Sequence, residues 1–124
     1  MDLPQNLKYT KEHEWVKIDG DLLIVGITDH AQSELGDIIF IEFPDLNQVI
    51  SKDDPFGTIE AVKTVADLFA PVSGKIIEIN QDLEDNPELV NSDPYGEGWI
   101  VKITDFDKSQ LNALLDSNNY KGII

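Results

Sequence analysis

Short apolar runs recur along the chain, each closed by Gly, Pro, Asp or Asn: Trp15-Val16-Lys17-Ile18, Leu22-Leu23-Ile24-Val25-Gly26-Ile27, Ile38-Ile39-Phe40-Ile41-Glu42-Phe43, Gly57-Thr58-Ile59-Glu60-Ala61-Val62, Lys75-Ile76-Ile77-Glu78-Ile79 and Trp99-Ile100-Val101-Lys102-Ile103. Runs of this length, rich in β-branched residues and bounded by turn formers, predict strands, and many of them at close spacing predict a sandwich or barrel. Asp19-Gly20-Asp21 separates the first two runs, and a glycine there can take the positive φ of a tight hairpin turn.

Helical pieces are few and short. Asp29-His30-Ala31-Gln32 offers an acceptor at an expected N-cap with Gln three residues on, followed by Leu35 and a Gly36 stop, which predicts a helix over 29–35. Asn86-Pro87-Glu88-Leu89 reads as a cap followed by Pro at the first helical position. Asp107 and Gln110 precede Leu111, Leu114 and Leu115, which predicts an amphipathic packing helix over 107–116. An echo between Gly20-Asp21-Leu22-Leu23-Ile24-Val25 and Gly74-Lys75-Ile76-Ile77-Glu78-Ile79 fits two similar half-sheets facing one another, and equally fits chance. No linker or low-complexity tract divides the chain, so residues 1–124 read as one domain.

Composition narrows the function. With 24 Asp plus Glu against nine Lys and no Arg, the chain carries a formal charge of −15, and it lacks the positive field that nucleic acid or an anionic membrane requires. Its 41% hydrophobic content is enough to close a core, so the acidity belongs to a folded chain. Cysteine is absent, which removes disulfides, thiolate zinc sites and a thiol nucleophile. The N-terminus carries no secretory or organellar signal pattern, and no apolar stretch reaches the roughly 20 residues of a membrane span, so a cytoplasmic protein is expected.

Lys63 stands between apolar, β-favouring segments that would pair as the arms of a hairpin, which puts it at the tip. Spacing alone leaves it either an ordinary solvated lysine or one presented for modification. The sequel Phe69-Ala70-Pro71-Val72-Ser73-Gly74 resembles the lysine hairpin of biotinyl and lipoyl carrier domains. Biotin carriers usually flank that lysine with Met, whereas Val62 and Thr64 flank it here, with acids at Glu60 and Asp67, as in the lipoyl version. Tyr9-Thr10, His13-Glu14-Trp15-Val16, Val25-Gly26-Ile27-Thr28-Asp29-His30-Ala31-Gln32, Leu35-Gly36-Asp37-Ile38 and Pro94-Tyr95-Gly96-Glu97-Gly98-Trp99 are similar to the glycine cleavage system H proteins. The likeness runs from about residue 7 to residue 120. It departs at Ala61, where the family more often has Ser, and at Glu34, where some members carry His.

The resemblance implies a mainly β fold, a flattened barrel or sandwich of the lipoyl/biotinyl-domain type with a few short helices, one of them C-terminal. It also implies a carrier and not an enzyme, with lipoate in amide linkage to Lys63 on a hairpin built from Glu60, Ala61, Val62 and Thr64. In family terms the arm takes an aminomethyl group from a pyridoxal-phosphate glycine decarboxylase and yields its one-carbon unit to a tetrahydrofolate-dependent aminomethyltransferase. A dihydrolipoamide dehydrogenase then reoxidises it, and a lipoate ligase or lipoyl transferase loads it at the outset. The exposed aminomethyl state can lose ammonia and formaldehyde to water. The matching polar positions that would hold its amine in a cleft are Glu14, the principal carboxylate, and Asp67 beside the root of the arm.

His13 and His30 are the only histidines, and neither sits in a two-histidine zinc motif, so structural or surface roles are expected of both. Trp15 and Trp99 read as buried anchors. Cysteine's absence has a second reading, because a thiol-free carrier cannot trap its own arm in a mixed disulfide. Acylation of one lysine would take the net charge from −15 to −16 and leave an acidic field suited to steering encounters with basic docking surfaces. Two other readings stay open from sequence: an H-like lipoyl carrier in another pathway, either lipoate relay or sulfur oxidation, and an unmodified acidic binding module.

Overall fold

The computed structural model describes residues 2–124. Strands β1 (Lys8–Tyr9), β2 (Glu14–Asp19), β3 (Leu22–Ile27), β9 (Val101–Thr104), β8 (Gly74–Ile79) and β5 (Val49–Ile50) form, in that spatial order, a six-stranded sheet. Strands β4 (Ile38–Glu42), β6 (Pro55–Ala61) and β7 (Val65–Phe69) form a three-stranded one, and every pairing in both sheets is antiparallel. Around them lie four short helices, α1 (Asp29–Leu35), α2 (Asp82–Asp85), α3 (Leu89–Ser92) and α4 (Ser117–Lys121), and a 3-10 segment, Lys108–Ala113.

Alternation explains the layering. Val16, Leu23, Val25, Ile76 and Ile103 from the larger sheet and Ile41, Ile59 and Leu68 from the smaller one belong to one buried core. A second cluster of Leu7, Tyr9, Trp15 and Tyr120 sits where β1, β2 and α4 meet. Trp15 is 1% exposed and its indole donates to the Pro94 carbonyl at 3.0 Å, so it is the expected anchor. Gly26 is its register partner, and a Cβ there would stand 2.7 Å from the Trp15 ring. Trp99 is only half-buried; it lies outside β9, with the Lys102 ammonium 4.8 Å from its ring centroid. The ring thus keeps one side for a cation instead of filling the core.

The first hairpin turns through Gly20 at φ +59°, as expected. Other boundaries moved. The N-cap of α1 is Thr28, whose hydroxyl accepts from the Ala31 N–H at 3.1 Å, while Asp29 is the first helical residue and accepts from the Gln32 side chain at 2.8 Å. Thr28 won because its extended backbone lets its hydroxyl reach three residues forward. Asn86 closes α2 and gives no side-chain cap to α3, which begins at Leu89 after Pro87 and Glu88 have passed through a turn. The expected 107–116 helix is instead a 3-10 segment capped by Asp107, after which Leu115 pairs with Tyr9 in both directions at 2.8 Å. Gln110 is drawn off to the Ser73 N–H at 2.6 Å, and the closing helix is α4, capped by Asp116. The echoing segments do not face each other: β3 and β8 flank β9 within one sheet.

Candidate functional site

Strands β6 and β7 pair from Pro55↔Phe69 to Glu60↔Val65 and leave Val62, Lys63 and Thr64 as the tip. The Ala61 N–H donates to the Thr64 carbonyl at 2.8 Å and closes the turn, while the Val62 N–H donates to Asp37 O at 3.1 Å and ties the tip to the start of β4. Lys63 is exposed, as are Val62 and Thr64; Glu60 is half-buried and Ala61 is buried, paired with Ile38. Lys63 therefore projects from a braced turn.

β7 is the outer strand of its sheet, and a cleft of about 580 Å³ runs beside it. Asp67, exposed on β7, and Glu14, at the start of β2, both border this cleft, so two residues far apart in sequence meet at one site. Exposed Glu34 of α1 borders it as well. His13 and His30 also line it, with ring centroids 4.9 Å apart. Their structural role holds for His13, whose Nδ1 lies 2.7 Å from the Tyr120 hydroxyl, which itself lies 2.8 Å from Thr28 Oγ1. Their place on the cleft wall was missed. The signal available was Thr28-Asp29-His30, which puts His30 in the first turn of a helix that follows a strand ending opposite Glu14.

Glu14 is the unusual member. It lies on the same side of β2 as Val16, opposite buried Ile27, and is 2% exposed. Thr10 Oγ1 donates to Glu14 Oε1 at 2.6 Å, and the Phe69 N–H reaches Oε2 at 3.4 Å. Burial pushes its carboxyl up to about 8 from an ordinary 4.5, and these hydrogen bonds offset only part of that rise. Near neutrality the group is held largely protonated. Burial, with His30 adding to it, holds the neighbouring His13 below its usual value. A second cavity of about 500 Å³, lined by Thr10, Lys52, Phe69 and Leu115 among others, also borders Glu14. Among the described residues no cluster of His, Asp and Glu could hold a metal ion, and no helix is long and apolar enough to cross a membrane.

Two antiparallel sheets with this hairpin place the fold in the lipoyl/biotinyl carrier class. The sequence profile of the glycine cleavage H-proteins matches residues 7–124. The glycine cleavage system H protein of Bacteroides thetaiotaomicron is 53% identical over 124 residues, covering 100% of this chain and 98% of that one. That of Bacteroides fragilis is 52% identical over the same span, also with 98% of the relative covered. The crystal structure of a glycine cleavage system H protein from Mycobacterium marinum superposes with a TM-score of 0.87 at 36% identity, covering 97% of both chains. This chain belongs to the glycine cleavage H-protein family.

Proposed function

We propose that residues 1–124 act as one cytoplasmic carrier, a non-catalytic shuttle of glycine cleavage, with lipoate on Lys63. Family membership over nearly the whole chain supports the pathway, and the braced, exposed Lys63 at the tip of a hairpin whose β7 arm borders an open cleft supports the attachment point. The lipoyl group, amide-linked to Nζ, would supply a dithiolane able to carry an aminomethyl cargo.

The lengths agree. An extended lipoyl-lysine side chain measures on the order of 15 Å from Cα to sulfur. The four residue steps from Lys63 to Asp67, two out of the turn and two along β7, advance at most roughly 13 Å. An arm laid along the free edge of β7 would therefore bring its end to the part of the cleft bordered by Asp67 and Glu14.

Each residue then has a task. Glu14 accepts a charge-assisted hydrogen bond from the cargo ammonium, and an arriving cation favours the ionised carboxylate over the protonated form that burial imposes. Asp67, on the rim, adds a solvated negative charge beside the docked end of the arm, and not beside its root as the resemblance implied. Ile27, Leu35, Ile59 and Leu68 line the same cleft with apolar surface and limit water around the amine. Ala61 faces inward against Ile38, so the family's more frequent Ser is not needed on the face that a loading enzyme meets. Glu34 contributes one more carboxylate to the cleft mouth where some relatives carry His.

The decarboxylase, the aminomethyltransferase, the dihydrolipoamide dehydrogenase and the lipoate-loading enzyme are the partners this reading requires. Intact mass of protein from a lipoate-competent host tests it: a lipoyl increment lost in Lys63→Arg supports it. A biotin increment or an unchanged mass refutes it, and failure of the loaded protein in glycine decarboxylase exchange sends it to another lipoyl pathway.

A further inference from the structure

Ten large hydrophobic residues are exposed among the described residues, and four of them, Ile39, Phe40, Val62 and Val65, belong to β4 and the lysine hairpin. Scattered surface hydrophobics need no explanation, but these are organised by register. Phe40 pairs with Glu60 and Glu60 with Val65, so the three side chains form one row across the sheet, on the face opposite buried Ile41, Ile59 and Leu68. Phe40 is 55% exposed and Val65 60%. The row is about 10 Å wide. Ile39 joins it at the register irregularity between Ile38 and Phe40.

The patch is fixed relative to Lys63. Val62 N–H to Asp37 O and Ala61 N–H to Thr64 O lock the tip onto β4 and onto its own hairpin. Its charge is one-sided: Asp37, Glu42, Glu60 and Asp67 surround it, and Lys63 is the only base in the segments 37–42 and 55–69.

Reach selects the occupant. The lysine nitrogen stands only about 6 Å from its Cα. An enzyme that acylates Nζ must therefore lay its surface against the strand pair next to the tip, Glu60 and Val65, only two to three residues from Lys63. Enzymes that act on the end of a loaded arm work some 15 Å from the same Cα and can avoid this face.

We propose that the Phe40–Glu60–Val65 row is the docking surface for the enzyme that acylates Lys63, which would present an apolar pocket to Phe40 and Lys or Arg to the acidic rim. This rests on Lys63 being the attachment point. In the step itself, the Nζ ammonium gives up one proton to become the attacking amine and a second as the amide forms with the acyl carbon of an acyl adenylate; both go to the enzyme or solvent, and the acyl–phosphate bond breaks as AMP leaves. Phe40 takes no part in that chemistry; it positions the lysine by supplying a desolvated aromatic contact of the kind that dominates small interfaces.

The test uses full-length apo-protein, a purified lipoate ligase, lipoate and ATP, with initial rates read by intact mass. Phe40→Ser should lower kcat/KM for acylation about tenfold, chiefly through KM, and Val65→Ser about threefold. Phe40→Leu should recover most of the loss. Variant protein loaded to completion should support glycine decarboxylase exchange within twofold of wild type, and its melting temperature should match wild type because Phe40 is exposed. Acylation of Phe40→Ser at the wild-type rate overturns the docking surface and leaves the carrier reading intact. Equal losses in acylation and exchange overturn it too, because the face would then serve every partner. Wild-type protein that gains no lipoyl mass sinks both.

Discussion

Replacing Glu14 with Gln should make the protein more stable and a worse carrier. The carboxyl is 2% exposed and pushed up to about 8, against 4.5 for an ordinary glutamate. Between those two values the native state holds a proton that the unfolded chain has released, so stability falls as pH rises, by about 1.4 kcal/mol per unit. The contribution is complete below about pH 4.5 and is lost as pH passes through about 8. At pH 7 the native state is therefore disadvantaged by about 3 kcal/mol relative to a neutral group in the same place. Glutamine is that neutral group: its oxygen can accept from the Phe69 N–H and its amide can donate to Thr10 Oγ1, replacing the two contacts Glu14 makes. Since the amide only approximates those contacts, the expected gain is about 1–3 kcal/mol at pH 7, or roughly 4–12 °C in melting temperature. Thermal denaturation followed by circular dichroism at pH 4, 5, 6, 7 and 8 would show the two proteins converging at pH 4 and separating steadily above it. Superimposed curves from pH 5 to 8, or a glutamine variant less stable than wild type at pH 8, would refute the argument. On loaded protein the same variant should release formaldehyde severalfold faster, because an amide cannot offer the cargo ammonium a full negative charge.

Other expectations follow from single contacts. Thr28→Ala removes both the α1 cap and one of the two partners of the Tyr120 hydroxyl, and should cost about 1–2 kcal/mol in urea unfolding, more than Asp29→Ala. Gly26→Ala drives a methyl against the buried Trp15 ring and should cost about 1–3 kcal/mol, with a change in Trp15 fluorescence. Transfer rates between the loaded protein and its enzymes should fall as salt rises from 50 to 500 mM, a consequence of a net charge that is −15 before acylation; rates indifferent to salt would leave the acidity as a solubility feature.

Several elements are legible because their causes are local. Each of the six apolar runs became a strand or the greater part of one, since alternation and turn residues act over a few positions. Gly20 and the lysine hairpin were readable for the same reason: β-favouring arms on either side of a short turn pair locally. The helical caps were less so, because Thr28, Asp29 and Asn86 all offer a suitable oxygen, and only the backbone geometry at each position selects the one whose oxygen accepts from a helical N–H. The 107–116 segment is helical only as a 3-10 turn over Lys108–Ala113, and it stops short of 116 because Leu115 gains two backbone hydrogen bonds from Tyr9, a partner more than a hundred residues away.

The site divides along the same line. Lys63 and its neighbours are consecutive residues, so the sequence by itself determined where an attachment point could be, and the order of the motifs determined the family. What surrounds Glu14 was decided by tertiary structure alone. Its carboxyl is one of 24 acids in the chain, and it differs from the rest because β2 turns it to the core side, Thr10 and Phe69 hold it from two directions, and Asp67, His13 and His30 gather at the same cleft. A sequence lists ionisable groups, but the energy of ionising one depends on how much water the fold leaves around it.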